Sequence, residues 1–221
     1  PPKIHIDFLA SSGALDADVL AQLIAALPQG APGATAAHKR YDAAACAVEI
    51  PADVGFCALG HNLYALGSSY SGACPVLSSL VSYGYLWNMV RVQGGAYGTG
   101  MNVRRSGDIF CYSYRDPNLD NTRAVFSAVA DFIENFAAQG MPLDDIIIGS
   151  VNTTDPLLDP AGVCESQCVR ALKGVTPEEL AKTRHELLAT KPADLAAMAG
   201  VLRKYAREGK FCTLSGTTGG A

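Results

Sequence analysis

Apolar residues recur in this chain at two periods, and the period changes several times between the ends. The stretch KIHIDFLAS (3–11) alternates as a strand does, and DADVLAQLIAALPQ (16–29) places Val19, Leu20, Leu23 and Ile24 on one helix face. QGAPGATAAH (29–38) is rich in Gly, Ala and Pro and reads as a linker. Beyond it, AACAVEIPADVGFCALGHNL reads as extended segments broken at Pro51. SGACPVLSSLVSYGYLWNMV (71–90) carries Leu77, Leu80, Val81 and Trp87 at near-helical spacing, and its Gly84 implies a closely packed neighbour. GDIFCYSYRDPN (107–118) is strand-like and stops at Asp-Pro-Asn; Tyr112 and Tyr114 alternate with Cys111 and Ser113, so one set faces a core.

The second half reads mostly as helix. A helix over Asn121–Gln139 turns Val125, Val129, Phe132, Ile133 and Phe136 inward and ends before Gly140. Helices follow at about 142–150 and 160–172. TPEELAKTRHELLAT opens with a capping box, Thr176 as N-cap, Pro177 in the first turn and Glu179 three residues on. PADLAAMAGVLRKYA aligns Leu195, Met198, Leu202 and Tyr205, and GKFCTLSG is a closing strand. Strands first, then helices, then a last strand imply an α+β fold, a mostly antiparallel sheet with helices layered on one face. The Pro-Pro start suggests a piece of a longer protein, with residues 1–28 the last strand and helix of a preceding domain, 29–45 a linker and 46–221 the domain proper.

Composition narrows the function. Of 221 residues, 49% are hydrophobic and the net charge is −4, so a real core is expected. Lys and Arg are scattered without a basic stripe, which argues against nucleic acid. No apolar run approaches the roughly 20 residues that span a bilayer, which argues against a membrane. Seven cysteines in mostly apolar surroundings read as reduced thiols, and Cys164 and Cys168, one helical turn apart without a second ligand pair, read as helix packing. There is no G-x-S-x-G elbow, Walker loop or dinucleotide fingerprint, and the glycines of GGAYGTG follow a helix and precede a strand. His185-Glu186 starts an H-E-x-x-H motif, but Ala189 stands where the second His would be. The inverted H-x-x-E-H is absent too, and His5, His38 and His61 are isolated. No zinc is expected on this chain alone.

The remaining question is the stretch VRVQGGAYG (90–98). Arg91 offers a planar fork of donors and Tyr97 a phenol on a rigid arm, around Gly94-Gly95, which lets the backbone turn tightly. From the residues alone this is either a grip on a polar group or an Arg–carboxylate pair and a core tyrosine beside a turn.

YLWNMVRVQGGAYGTG, then GDIFCYSYRDPN, a helix and TPEELAKTRHELLA resemble the C-terminal end of presequence proteases, pitrilysin-type zinc metallopeptidases. The resemblance covers about residues 50–218 and, more loosely, 3–28. It implies the pitrilysin-type (LuxS/MPP-like) fold, four homologous domains in two halves that close around a peptide, and zinc held by the absent N-terminal half. This chain would be the last domain, with residues 1–28 left from the third. The resemblance assigns Arg91 and Tyr97 as catalytic residues and Arg91, Gly94, Gly95 and Tyr97 to substrate binding. Tyr97 would donate to the scissile carbonyl oxygen, and Arg91 would hold a neighbouring carbonyl. Arg115 would pair with Asp116 or a helix end, and His61 would be a solvated loop residue. The partners implied are the zinc-bearing half of the same protein and peptide substrates, and the chain alone would be inactive. The alternative is a non-catalytic pitrilysin-like structural or binding subunit. The compartment expected is bacterial cytoplasm, or an organellar matrix in a eukaryote.

Overall fold

The computed structural model of this chain describes residues 16–27 and 44–216. The chain divides into two units, and the larger comprises Ala43–Pro156 and Leu180–Ala221. Among the described residues its centre is a sheet of five strands: β1 (Cys46–Glu49), β2 (Gly55–Asn62), β3 (Gly98–Val103), β4 (Asp108–Asp116) and β5 (Lys210–Ser215). Their order is β1-β5-β2-β4-β3, and only β1 and β5 run parallel.

The two-residue period of a strand sends successive side chains to opposite faces. Cys57 and Leu59 of β2, Met101 and Val103 of β3, and Ile109, Cys111 and Ser113 of β4 are all buried. Tyr112 and Tyr114, between them, stay exposed. The buried face is covered by α2 (Ala73–Val81), α3 (Leu119–Ser127), α4 (Val129–Ala138), α8 (Pro192–Ala197) and α9 (Ala199–Glu208), with α5 (Asp144–Thr154) packed on α2. Leu77, Leu80, Phe126, Ile133, Leu195 and Leu202 fill the layer between. This is the α+β arrangement expected, a largely antiparallel sheet with helices on one side.

Several elements differ from expectation in detail. The single helix over 121–139 is two, hinged at Ala128 (φ −91°, ψ 5°), although Val125, Val129 and Ile133 still line up in the core. The stripe over 192–206 is likewise split at Met198. Strand β3 was not anticipated, because Gly98 and Gly100 depress strand propensity. The rings opposite compensate: a Cβ on Gly100 would lie 3.0 Å from the Tyr112 hydroxyl, so the tyrosine occupies the glycine's missing side chain. After Val81 the helix widens into a π-helical segment, Ser82–Val92, whose buried residues are Leu86 and Val90. The changed pitch turns Trp87 outward, 42% exposed, where simple helical spacing put it in the core stripe. Gly84 meets the neighbour it implied, since a Cβ there would lie 3.5 Å from the Phe132 ring.

The capping box forms at the start of α7 (Pro177–Ala189): Glu179 N–H donates to Thr176 Oγ1 and Thr176 N–H to Glu179 Oε2, both at 3.2 Å. In the other unit α1 (Ala17–Ala26) is capped by Asp16, and its Val19, Leu23 and Ile24 are exposed. The second helix there is α6 (Pro160–Leu172), which buries no residue. The expected strand 3–11 and linker 29–38 lie outside the described residues.

Two devices fasten the sheet to its helices. Ser78 and Ser82, four residues apart, turn their hydroxyls onto the outer edge of β3: Met101 N–H donates to Ser82 Oγ at 2.8 Å and Val103 N–H to Ser78 Oγ at 3.0 Å. The strand edge is thereby satisfied from within. Deeper, Tyr205 of α9 is fully buried; its hydroxyl accepts from Cys111 N–H at 2.8 Å and donates to the Leu59 carbonyl at 2.6 Å. Leu59 and Cys111 are register partners in β2 and β4. Burial pushes the Tyr205 phenol well above its ordinary pKa, so it remains a neutral donor and acceptor. Tyr205→Phe keeps the ring and deprives both backbone groups of this partner. It is expected to destabilise the chain by about 2–6 kcal/mol, at roughly 1–3 kcal/mol for each of the two buried groups left short of a partner. A urea titration that finds the midpoint unmoved would contradict the bridging role.

Candidate functional site

The candidate site begins where the π-helical segment ends. Gln93 N–H reaches back five residues to the Asn88 carbonyl at 2.9 Å, and Ala96 N–H reaches six back to Val90 at 3.1 Å. Gly94 sits so close to that turn that a Cβ would lie 2.5 Å from the Val90 carbonyl oxygen. Gly95 has φ +83°, the left-handed region that a side chain disfavours. Ala96 is buried as an anchor, and Tyr97 N–H then joins β4 through the carbonyls of Tyr114 (3.0 Å) and Arg115 (3.2 Å). The double glycine thus reverses the chain from helix to edge strand.

The turn holds its two functional candidates by separate partners. The Arg91 guanidinium carbon lies 3.9 Å over the centre of the Trp87 ring. Tyr97 is 65% exposed, and its ring meets Tyr114 edge-on at 5.6 Å and 73°. The Arg115 guanidinium lies near both tyrosine rings, 5.9 Å from Tyr97 and 5.6 Å from Tyr114. Arg115 has φ +50°, rare for a residue with a side chain and a form of strain that accompanies ligand clamps. The pairing of Arg115 with Asp116 does not form. Asp116 is buried and accepts from Asn118 N–H at 2.8 Å and from the Thr122 hydroxyl at 2.6 Å, ordering the loop without the arginine.

Between the π-helical segment and β3 lies a cavity of about 410 Å³ lined in part by Tyr83, Trp87, Thr99, Gly100 and Tyr112. Trp87 therefore has Arg91 stacked on it and also lines the cavity. Four arginines of this region lie over or near aromatic rings: Arg91 on Trp87, Arg115 near Tyr97 and Tyr114, Arg104 5.1 Å over Phe110, and Arg105 5.1 Å over the cavity-lining Tyr70. None of the four has a carboxylate partner among the described residues, although Arg105 donates to the Thr183 hydroxyl at 2.7 Å, whereas Arg184, Arg203 and Arg207 all pair with carboxylates. Tyr97 likewise has no hydrogen-bond partner for its hydroxyl there, while Tyr64, Tyr85 and Tyr205 donate to backbone carbonyls. Arg91 and Tyr97 were candidates from the sequence, whereas Trp87 and Arg104 join the site only through their contacts in the fold. The four-residue spacing of Trp87 and Arg91 was the available signal for Trp87.

Other candidates lie elsewhere. His61 lines a separate cavity of about 490 Å³ with Lys210 and Cys212, and its Nδ1 accepts from Asn62 N–H at 2.7 Å. His185 is exposed, and Cys164 and Cys168 are half-buried on α6. Among the described residues no three His, Cys, Asp or Glu side chains gather to hold a metal ion. Burial pushes the Cys57 thiol up to about 11 and that of Cys111 to about 12, which keeps both protonated and inert. Also among the described residues, no helix is long and apolar enough to cross a membrane.

Residues 46–215 match the family described as the PreP C-terminal domain. Protein HypA of Clostridium perfringens is 32% identical over 162 residues, 73% of this chain and 17% of that protein. Presequence protease 1, chloroplastic/mitochondrial, of Arabidopsis thaliana is 34% identical over 154 residues, 69% of this chain and 14% of its own length. The chain thus spans about a sixth of these relatives. Among solved structures, the peptidase M16 inactive domain from Pseudomonas fluorescens superposes with a TM-score of 0.61 at 13% identity, covering 92% of this chain and 51% of that one. A protease from Helicobacter pylori gives 0.55 at 13% identity, covering 90% and 53%. At such identities the superpositions establish the fold.

The Arg91–Trp87 stack has a direct readout, because Trp87 is the single tryptophan. Arg91→Ala should change the intrinsic emission, red-shifting it as water replaces the guanidinium, at a stability cost of about 1 kcal/mol or less for a partly exposed cation–π contact. An emission spectrum identical to wild type would show that the stack is not populated in solution.

Proposed function

Because the chain belongs to the presequence-protease C-terminal-domain family, we propose that it is the substrate-binding last domain of a longer, zinc-dependent oligopeptidase. In this reading Arg91 and Tyr97 face a chamber completed by an N-terminal half of the same protein, and peptides are hydrolysed between the halves. Residues 1–28 are then the end of the preceding domain and 29–45 the connection. The zinc ligands belong to the facing half, and what this chain contributes is positioning and hydrogen-bond donation.

The observation that carries the proposal is the state of Tyr97. Its backbone is fixed by two hydrogen bonds to β4 and its ring by the edge of Tyr114, yet the residue is 65% exposed and its hydroxyl has no partner among the described residues. A rigid donor with no internal acceptor is preorganised for an acceptor that arrives with the substrate. When water attacks a peptide carbonyl, negative charge builds on the oxygen, and a phenol held at that point stabilises the charge as it develops. Arg91, whose guanidinium carbon lies 3.9 Å over the centre of the Trp87 ring and which has no carboxylate partner among the described residues, offers its N–H donors to a neighbouring carbonyl and so sets the register of the peptide. Gly94 and Gly95 enter through the backbone, by bringing the two side chains to either side of one turn.

In the longer protein, Tyr97→Phe removes the donor and leaves the ring contact with Tyr114. On this reading kcat falls by ~10²–10³, the range for losing one such donor, while KM changes little because the bond strengthens in the transition state. Wild-type kcat in a stably folded Tyr97→Phe variant would remove Tyr97 from the chemistry and favour a purely binding or structural module.

A further inference from the structure

Among the described residues, strand β1 is held to the sheet on one side only, by its parallel pairing with β5, and all four of its residues are exposed. In that pairing Cys46 lies directly opposite Cys212. Register partners on adjacent strands are separated by the interstrand spacing of roughly 4.8 Å, inside the 4.4–6.8 Å range of Cα separations that a disulfide spans. Cys212 is also the largest influence raising the Cys46 pKa above its usual range, and the Cys212 thiol donates to the Ala44 carbonyl, two residues before Cys46, at 3.7 Å. Cys46 is exposed, and Cys212 is half-buried and lines the cavity of about 490 Å³ beside Lys210 and His61. No other described cysteines are strand partners, and Cys57, Cys74 and Cys111 are buried.

We propose that Cys46 and Cys212 are a modification site, a cross-strand dithiol that a low-molecular-weight disulfide such as oxidised glutathione converts to an intramolecular disulfide pinning β1 to β5. The step proceeds by two exchanges. The Cys46 thiol loses its proton, and the thiolate attacks one sulfur of oxidised glutathione, releasing one glutathione thiolate and leaving a mixed disulfide. The Cys212 thiolate then attacks the Cys46 sulfur and releases the second glutathione. Two protein thiols are oxidised, one disulfide is reduced to two thiols, and the two protons end on the glutathiones. The new bond closes a loop that spans nearly the whole of the larger unit, the situation in which a cross-link restricts the unfolded chain most.

The experiment uses the 221-residue chain carrying Cys164→Ser and Cys168→Ser, so that the helical pair on α6 cannot compete. After incubation with oxidised glutathione above pH 8, intact mass should fall by about 2 Da, the change for two thiols becoming one disulfide. Peptide mapping should recover the segment holding Cys46 linked to that holding Cys212. Tm should rise by roughly 5 °C or more and return to its starting value on reduction, and Cys46→Ser should abolish both mass loss and shift. Recovery of Cys46 and Cys212 as free thiols or as separate glutathione adducts would overturn the proposal.

Discussion

The Tyr205 hydroxyl is the point on which the architecture turns. It bridges the Leu59 carbonyl and the Cys111 amide, two groups from different strands, and it comes from the helix that covers them. One side chain therefore fixes both how α9 sits on the sheet and where β2 lies against β4. A strand slipped by one residue would send every side chain to the opposite face, and the oxygen would no longer meet this pair. Because the register of β4 is held there, Cys111 and Ser113 point to the core while Tyr112, Tyr114 and the end of the strand are delivered to the open face. The aromatic surroundings of Tyr97 thus depend on a hydrogen bond made on the other side of the sheet.

The open face is built by complementary residue sizes across strands. Gly98 and Gly100 of β3 stand opposite Tyr114 and Tyr112 of β4. The rings lean into the space where side chains are missing, which lets bulky phenols lie along the sheet instead of standing off it. The same packing brings Tyr112 to the cavity and Tyr114 to Tyr97. Strand β3, an edge among the described residues, is ordered by Ser78 and Ser82, which bind its outward amides and stiffen the wall beside the cavity.

Much of this was legible because it follows from period and capping. The alternation of Cys111 and Ser113 with Tyr112 and Tyr114, the stripes through Val125–Ile133 and Leu195–Tyr205, and the Thr176–Glu179 box are all local patterns read at their own spacing. What escaped depends on contacts remote in sequence. Strand β3 is glycine-rich and becomes a strand only against tyrosines on β4. The widening of the helix after Val81 left no mark in the hydrophobic spacing, so Trp87 was assigned to the core when it carries Arg91 at the surface. At the site, Arg91 and Tyr97 were candidates only through resemblance to a family. Their separate aromatic supports were not legible, because one support comes from the altered helical pitch and the other from the cross-strand neighbour.

The choice of arginine on this face has its own physical logic. A guanidinium in a bidentate ion pair spends its in-plane donors on the carboxylate, as Arg203 does with Glu134. A guanidinium stacked on an aromatic ring is held by its face, through dispersion and the ring's quadrupole, and its N–H edge stays free. Arg91, its guanidinium carbon 3.9 Å from the centre of the Trp87 ring and without a carboxylate partner among the described residues, has the proximity that the second condition requires. Lysine could not meet both requirements, since its ammonium is a compact, strongly hydrated charge with no flat face to stack. Stacking therefore restrains the side chain before any ligand arrives, which lowers the entropy lost when its donors are engaged. A surface made only for solubility has no need of such restraint. Arginines lying over rings, beside a tyrosine whose hydroxyl has no partner among the described residues, form a surface whose hydrogen-bonding capacity is directed outward.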